Sequence, residues 1–247
     1  MRITVIGATG QIGSQVVDLL TSEGHDVVAA SRASGADVLT GEGLDDALAG
    51  AQVLVDVVNS PSFDDEPVMD FFTRSSANLV AAATAAGVGH YVALSIVGAD
   101  ALPESGYLRA KVVQEKTIVD SGLPYTIVRA TQFHEFAEMI TGSLVVGEEV
   151  RAPDGRIQPI AAADVAAQVA RVAAATPVNG VVNIGGPDKM SFADLARAVL
   201  AKQGDSRKVV VDPTATYFGT PVDDNSLVTG DRAVIADTTF ADWLAKN

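Results

Sequence analysis

The sequence predicts an α/β protein: a doubly wound parallel sheet with helices on both faces, followed by a small C-terminal lobe. Three observations carry this. Short β-branched runs alternate with longer, alanine-rich stretches at helical spacing, the signature of repeated strand–helix–strand units. The strand runs are apolar on successive residues, as parallel strands covered on both faces require. Several helical stretches stop near a glycine that can close them, namely Gly24, Gly87 and Gly122.

Taken in order, Arg2–Ile6 reads as the first strand and Gln11–Ser22 as the first helix, with Asp26–Ala30 as the second strand. Strands at 53–58, 90–94 and 125–128 then alternate with helices at 68–86 and 108–121. Beyond Arg129 the pattern loosens, and residues 131–160 show few long periodic segments. A helix at 163–175, a strand at 180–184, a helix at 191–203 and a short helix at 240–244 complete the expectation. No internal repeat or linker divides the chain. The expected organisation is one domain over 1–247, with a core at about 1–130 and a lobe at about 131–247 built onto the same sheet.

Composition narrows the function classes. The 247 residues carry 17 Lys and Arg against 31 Asp and Glu, a formal charge of −14. An acidic chain repels phosphate backbones, so nucleic acid is not the expected partner. The absence of cysteine removes disulfides, thiolate metal sites and thiol nucleophiles together. His25, His90 and His134 are scattered, with no two-ligand spacing, so no metal is expected. No apolar run reaches the ~18 residues that span a bilayer. Residues 3–6 run straight into a glycine turn and are too short for an export signal, so the expectation is a cytoplasmic protein without membrane contact. Oligomeric state leaves no mark on the sequence.

The turn after the first strand reads Gly7-Ala8-Thr9-Gly10-Gln11-Ile12-Gly13 and opens a helix. Strand, glycine turn and helix N-terminus together form the setting in which a dinucleotide pyrophosphate binds. Gly7 permits the tight turn, Gly10 lets backbone approach a phosphate, and Gly13 lets the helix pack closely. Thr9, Gln11 and Ile12 complete the expected contacts. The second strand ends at Ser31-Arg32, where readers of NAD usually carry a carboxylate. A hydroxyl and a guanidinium there favour the 2′-phosphate of NADP, with NAD as the alternative. Asp37 and Val38 fall where an adenine contact is expected, and Asn59 closes the strand that lines the nucleotide.

Tyr107 and Lys111 are four residues apart on an expected helix, on one face. An ammonium beside a phenol favours its ionised form, which would make Tyr107 usable in proton transfer near neutral pH. Lys111 is also suited to the ribose hydroxyls of a nicotinamide nucleotide. Ser95, at the carboxyl edge of the sheet, is suited to holding a substrate carbonyl. Further along, Phe133, His134 and Phe136 are candidates for the wall of a small-molecule pocket, one for an aromatic or quinone compound, with plain lobe packing as the other reading.

Together these features resemble the NmrA-like type of atypical short-chain dehydrogenase/reductase. The resemblance rests on the glycine turn, Ser95, the Tyr107–Lys111 spacing and the stretch from Thr126 to Phe133. Pro159-Ile160-Ala161-Ala162-Ala163-Asp164-Val165-Ala166 and Asn183-Ile184-Gly185-Gly186-Pro187 continue it, in the family's order along almost the whole chain. One departure is Ala130, where the family often has proline after the strand's arginine. The resemblance implies a Rossmann fold, NAD(P) binding and a C-terminal substrate lobe. Three functional readings are carried forward. The first is an NAD(P)H-dependent oxidoreductase reducing a carbonyl, quinone or enone, with Tyr107, Lys111 and Ser95 in the site. The second is a regulatory protein that senses NAD(P) without turnover. The third is a tailoring monooxygenase or isomerase of an aromatic metabolite.

Overall fold

A computed structural model describes residues 1–247. Its central sheet has seven strands. The elements alternate as β1 (Arg2–Ile6), α1 (Gln11–Ser22), β2 (Asp26–Ala30), α2 (Leu44–Leu48), β3 (Val53–Asp56), α3 (Asp65–Ala86), β4 (His90–Ile96), α4 (Gly106–Asp120) and β5 (Tyr125–Ala130). There follow α5 (Ala137–Ser143), β6 (Val145–Val146), β7 (Glu149–Ala152), β8 (Arg156–Ile157), α6 (Ala162–Ala173) and β9 (Gly180–Gly185). The chain ends with β10 (Met190–Ser191), α7 (Phe192–Gln203), β11 (Lys208–Val211), β12 (Val234–Ile235) and α8 (Phe240–Lys246). The order across the parallel sheet is β12-β9-β5-β4-β3-β1-β2, a Rossmann-type doubly wound arrangement. No helix is long and apolar enough to cross a membrane.

The chain divides into two compact units. The first comprises Met1–Ser95, Gly106–Arg129 and Val165–Val182; the second comprises Ile96–Ser105, Ala130–Asp164 and Asn183–Asn247. In the first, β1 lies between β2 and β3, in register from Ile3 opposite both Val27 and Val53. Ile6, Leu54, Leu79, Tyr91 and Ile118 form its packed interior. Strand order reverses at β1 and β3, and ligands of open α/β sheets collect outside the carboxyl ends at such a reversal. In the second, Ile140, Val150, Ile157, Phe192, Leu195 and Val199 are buried. There β7 is the middle strand of a three-stranded sheet with β6 and β11.

Several element ends differ from the sequence expectation for local reasons. β3 stops at Asp56 because its carboxylate accepts the Val58 N–H at 3.2 Å, turning the chain two residues early. α3 begins at Asp65, with Asp65 and Glu66 in its first turn, where the helix dipole favours negative charge. α4 begins at Gly106, so Tyr107 lies in its first turn. β4 and β5 each run two residues further than expected, which puts Ser95 inside β4. Gly87 closes α3 at φ +68°, a conformation that costs a side chain but not glycine. α2, α5 and the short strands β6–β8 were not expected.

Candidate functional site

The glycine turn assigns one task to each glycine. Gly7 has φ +88°, and a Cβ there would lie 3.0 Å from the Val57 carbonyl group. A Cβ at Gly13 would fall 2.1 Å from the Gly7 oxygen, so α1 packs on its own entry turn only because residue 13 lacks a side chain. Gly10 differs: the one atom near its Cβ position is the Gly7 oxygen, at 3.3 Å, and the residue is exposed. That position is open on the ligand side. The first intrahelical bond of α1 runs from Ser14 N–H to Gly10 O at 3.0 Å, and the first turn holds no acidic residue. The leading amides of α1 are therefore available to an anion, and the turn fits a pyrophosphate. Thr9 and Gln11 are exposed beside Gly10, whereas Ile12 is buried and has only its backbone to offer.

At the end of β2, Ser31 is half-buried and Arg32 is exposed, with no ion pair. Ser34 ties this turn by accepting the Ser31 N–H and donating to the Ser31 carbonyl, both at 2.9 Å. Asp37 spends one carboxylate oxygen on the Leu39 N–H at 2.7 Å and the Thr40 N–H at 3.3 Å. Val38 is buried, and its carbonyl accepts from Asn78 at 2.9 Å. Both residues thus shape the loop that follows β2.

Tyr107 and Lys111 do not meet. The Tyr107 hydroxyl donates to Asn59 Oδ1 at 2.9 Å, and burial pushes the phenol up to about 12, with the Asn59 bond drawing it back. Lys111 is 3 % exposed; its ammonium donates to the Leu94 carbonyl at 2.8 Å and to Gln114 Oε1. The Phe72 ring touches both residues, with its centroid 4.6 Å from Lys111 Nζ and 6.1 Å from the Tyr107 ring. An apolar ring thus occupies the place expected for an ammonium–phenol contact, and the expected lowering of the Tyr107 pKa is replaced by a rise.

Lys111 belongs instead to a buried polar network that the sequence did not announce. Asp56, wholly buried, accepts from Tyr91 Oη at 2.9 Å and Gln114 Nε2 at 2.8 Å. Burial raises the Asp56 pKa while Lys111 lowers it. Burial likewise brings Lys111 down to about 8, against the upward pull of Asp56 and Glu115. Glu115 in turn takes a two-pronged contact from Arg129, at 2.9 and 2.6 Å. The available signal was the single carboxylate interrupting the apolar run Val53-Leu54-Val55-Asp56-Val57-Val58. Ser95 is 3 % exposed, and its hydroxyl has no hydrogen-bond partner. Such an unpaired buried group is uncommon.

In the second unit, Phe133 and Phe136 stack at 5.4 Å with planes 16° apart, and Phe136 is exposed. His134, considered above as a pocket wall, is 0 % exposed. Its ring lies 5.3 Å from Phe240 and 5.5 Å from Trp243. It packs the terminal helix α8 and does not line an open cavity, since the aromatic pair a hundred residues onward covers it.

Comparison with known proteins agrees with this geometry. A family model described as NAD(P)H-binding matches residues 7–176, well over half of the chain. The chain is 30% identical over 149 residues to the photosystem II assembly factor Ycf39 of Cyanophora paradoxa, covering 55% of this chain and 46% of that one. It thus spans about half the length of the curated relatives it matches. Among solved structures it is similar to the NADPH-dependent quinone oxidoreductase QOR2 of Escherichia coli complexed with NADPH, at 25% identity and TM-score 0.64, over 86% of this chain and 78% of that one. It shares its fold with the dTDP-glucose 4,6-dehydratase DesIV of Streptomyces venezuelae with NAD bound, at 19% identity and TM-score 0.76, over 100% and 95% of the two chains. With the glycine turn, the sheet order and these matches together, the chain belongs to the NAD(P)H-binding family.

Proposed function

We propose that this protein is an NAD(P)H-dependent oxidoreductase that reduces a carbonyl, quinone or enone group of a small molecule. The observation that carries the reading is the Tyr107 hydroxyl, fixed 2.9 Å from Asn59 Oδ1 in the unit that also holds the glycine turn. The nicotinamide supplies the hydride when bound. A phenol held near 12 keeps its proton at neutral pH and gives it up only to a more basic oxygen. That suits a donor to a developing oxyanion. Ser95, with a buried hydroxyl lacking a partner, would orient that oxygen. The leading amides of α1 would hold the pyrophosphate. Arg32, exposed and unpaired, would read the 2′-phosphate, which favours NADP over NAD. Lys111 would hold the nicotinamide ribose.

The similarity to a quinone oxidoreductase complexed with NADPH supports this class of acceptor. The test is NADPH oxidation, followed optically, against a panel of quinones, enones and carbonyl compounds. Turnover of at least one class supports the reading, and none across a broad panel removes it. A second reading, nucleotide-dependent binding of a protein partner without turnover, draws on the relatives named as assembly factors. It predicts NADPH binding by calorimetry with no acceptor-dependent oxidation.

A further inference from the structure

We propose that Phe63 is the aromatic shelf of the acceptor subsite, and that the acceptor is a planar conjugated carbonyl compound of the quinone type. The inference rests on the oxidoreductase reading and narrows its substrate class. The loop between β3 and α3 is tied to itself by its own polar side chains. Asn59 Oδ1 accepts the Ser60 N–H at 2.9 Å, and Ser60 Oγ accepts the Ser62 N–H at 3.2 Å. Ser62 Oγ accepts the Asp64 N–H at 3.2 Å and donates to Asp64 Oδ2 at 3.3 Å. Phe63 is displayed outward from this tied loop, 61% exposed. Its ring stands edge-on to Tyr107, centroids 5.2 Å apart and planes at 69°.

One exposed phenylalanine needs no explanation by itself. This one is presented beside the proton-donor hydroxyl, by the same loop whose Asn59 holds that hydroxyl. Behind it the ring contacts run inward through Tyr107 to buried Phe72 at 6.1 Å and on to Phe71 at 5.2 Å. A ligand whose oxygen replaces Asn59 as the partner of Tyr107 would extend its framework toward Phe63. A flat conjugated framework can stack on that ring, whereas a saturated carbonyl compound gains contact area alone.

The experiment compares wild type, Phe63→Ala and Phe63→Trp with NADPH, using 1,4-naphthoquinone and cyclohexanone as acceptors. Phe63→Ala is expected to raise KM for naphthoquinone roughly five- to tenfold, the size of an aromatic stacking contact. It should leave cyclohexanone kinetics and the NADPH Kd within twofold, and Phe63→Trp should restore naphthoquinone KM. Unchanged naphthoquinone KM, equal losses on both acceptors, or a matching loss of NADPH affinity would overturn the shelf while leaving the oxidoreductase reading intact. If wild type oxidises NADPH with neither acceptor, calorimetric titration of naphthoquinone into the NADP-loaded protein decides the shelf separately. Binding that Phe63→Ala weakens supports it. No binding, or equal binding by both proteins, overturns it.

Discussion

The Tyr107 hydroxyl is held by Asn59, 2.9 Å away, and not by Lys111 one turn along the same helix. This divides the work of two residues that sequence spacing had joined. Tyr107 is an un-ionised phenol in the first turn of α4. Lys111 is the cation of an interior network that begins at Asp56.

That division makes a prediction about charge. Asp56→Asn removes the carboxylate that raises Lys111, so the lysine should titrate below its present value of about 8. The ε-carbon resonance of Lys111, identified by its loss in Lys111→Met, reports the midpoint directly. A midpoint unchanged in Asp56→Asn would mean that the two groups are not electrically coupled.

Cofactor choice should depend on Arg32. Arg32→Ala removes a charge-assisted contact, worth roughly tenfold to a hundredfold in NADPH affinity. NADH affinity should move far less. Equal losses for both nucleotides in a fluorescence titration would show that Arg32 does not read the 2′-phosphate.

The glycine turn predicts opposite outcomes at two of its positions. Gly10→Val sets a Cβ 3.3 Å from a single atom, the Gly7 oxygen, so nucleotide binding should be lost with only a small fall in melting temperature. Gly13→Ala pushes a Cβ to 2.1 Å from the Gly7 oxygen and should destabilise the fold by roughly 2 kcal/mol or more. Calorimetry and thermal melting of the two variants separate these effects.

His134 predicts a pH dependence of stability. Burial lowers its pKa, the largest influence on it, while Pro159, Asp164 and Asp188 pull the other way. The unfolded chain therefore takes up a proton more readily, and stability falls as pH drops through about 6.5. His134→Phe, which keeps an aromatic ring against Phe240 and Trp243, should reduce that fall. Melting curves at pH 7.5 and 5.5 measure it, and an identical fall in the variant would remove His134 as a source.

Much of the frame was legible beforehand, because it is local. Strands such as Arg2–Ile6 and Asp26–Ala30 are marked by continuous apolar runs, and the glycine turn by strand, spacing and helix in sequence. What stayed hidden depends on residues far apart in the chain. Phe72 from α3 lies against the Lys111 ammonium of α4, and Phe240 and Trp243 pack against the buried His134 ring. Asp56 read as one residue inside the strand at 53–58 because its partners, Tyr91 and Gln114, come from later elements. α5 and the strands β6–β8 are too short to show a period of their own.

The central claim is that Tyr107 gives a proton to a substrate oxygen during reduction. Its most direct test is Tyr107→Phe, assayed with NADPH and the best acceptor found for wild type. Kcat and kcat/KM should fall together by ~10²–10⁴-fold, since the hydroxyl acts on the transition state. The NADPH Kd should stay within about twofold, because the ring and the glycine turn remain in place. A variant that reduces the acceptor at the wild-type rate would contradict the account.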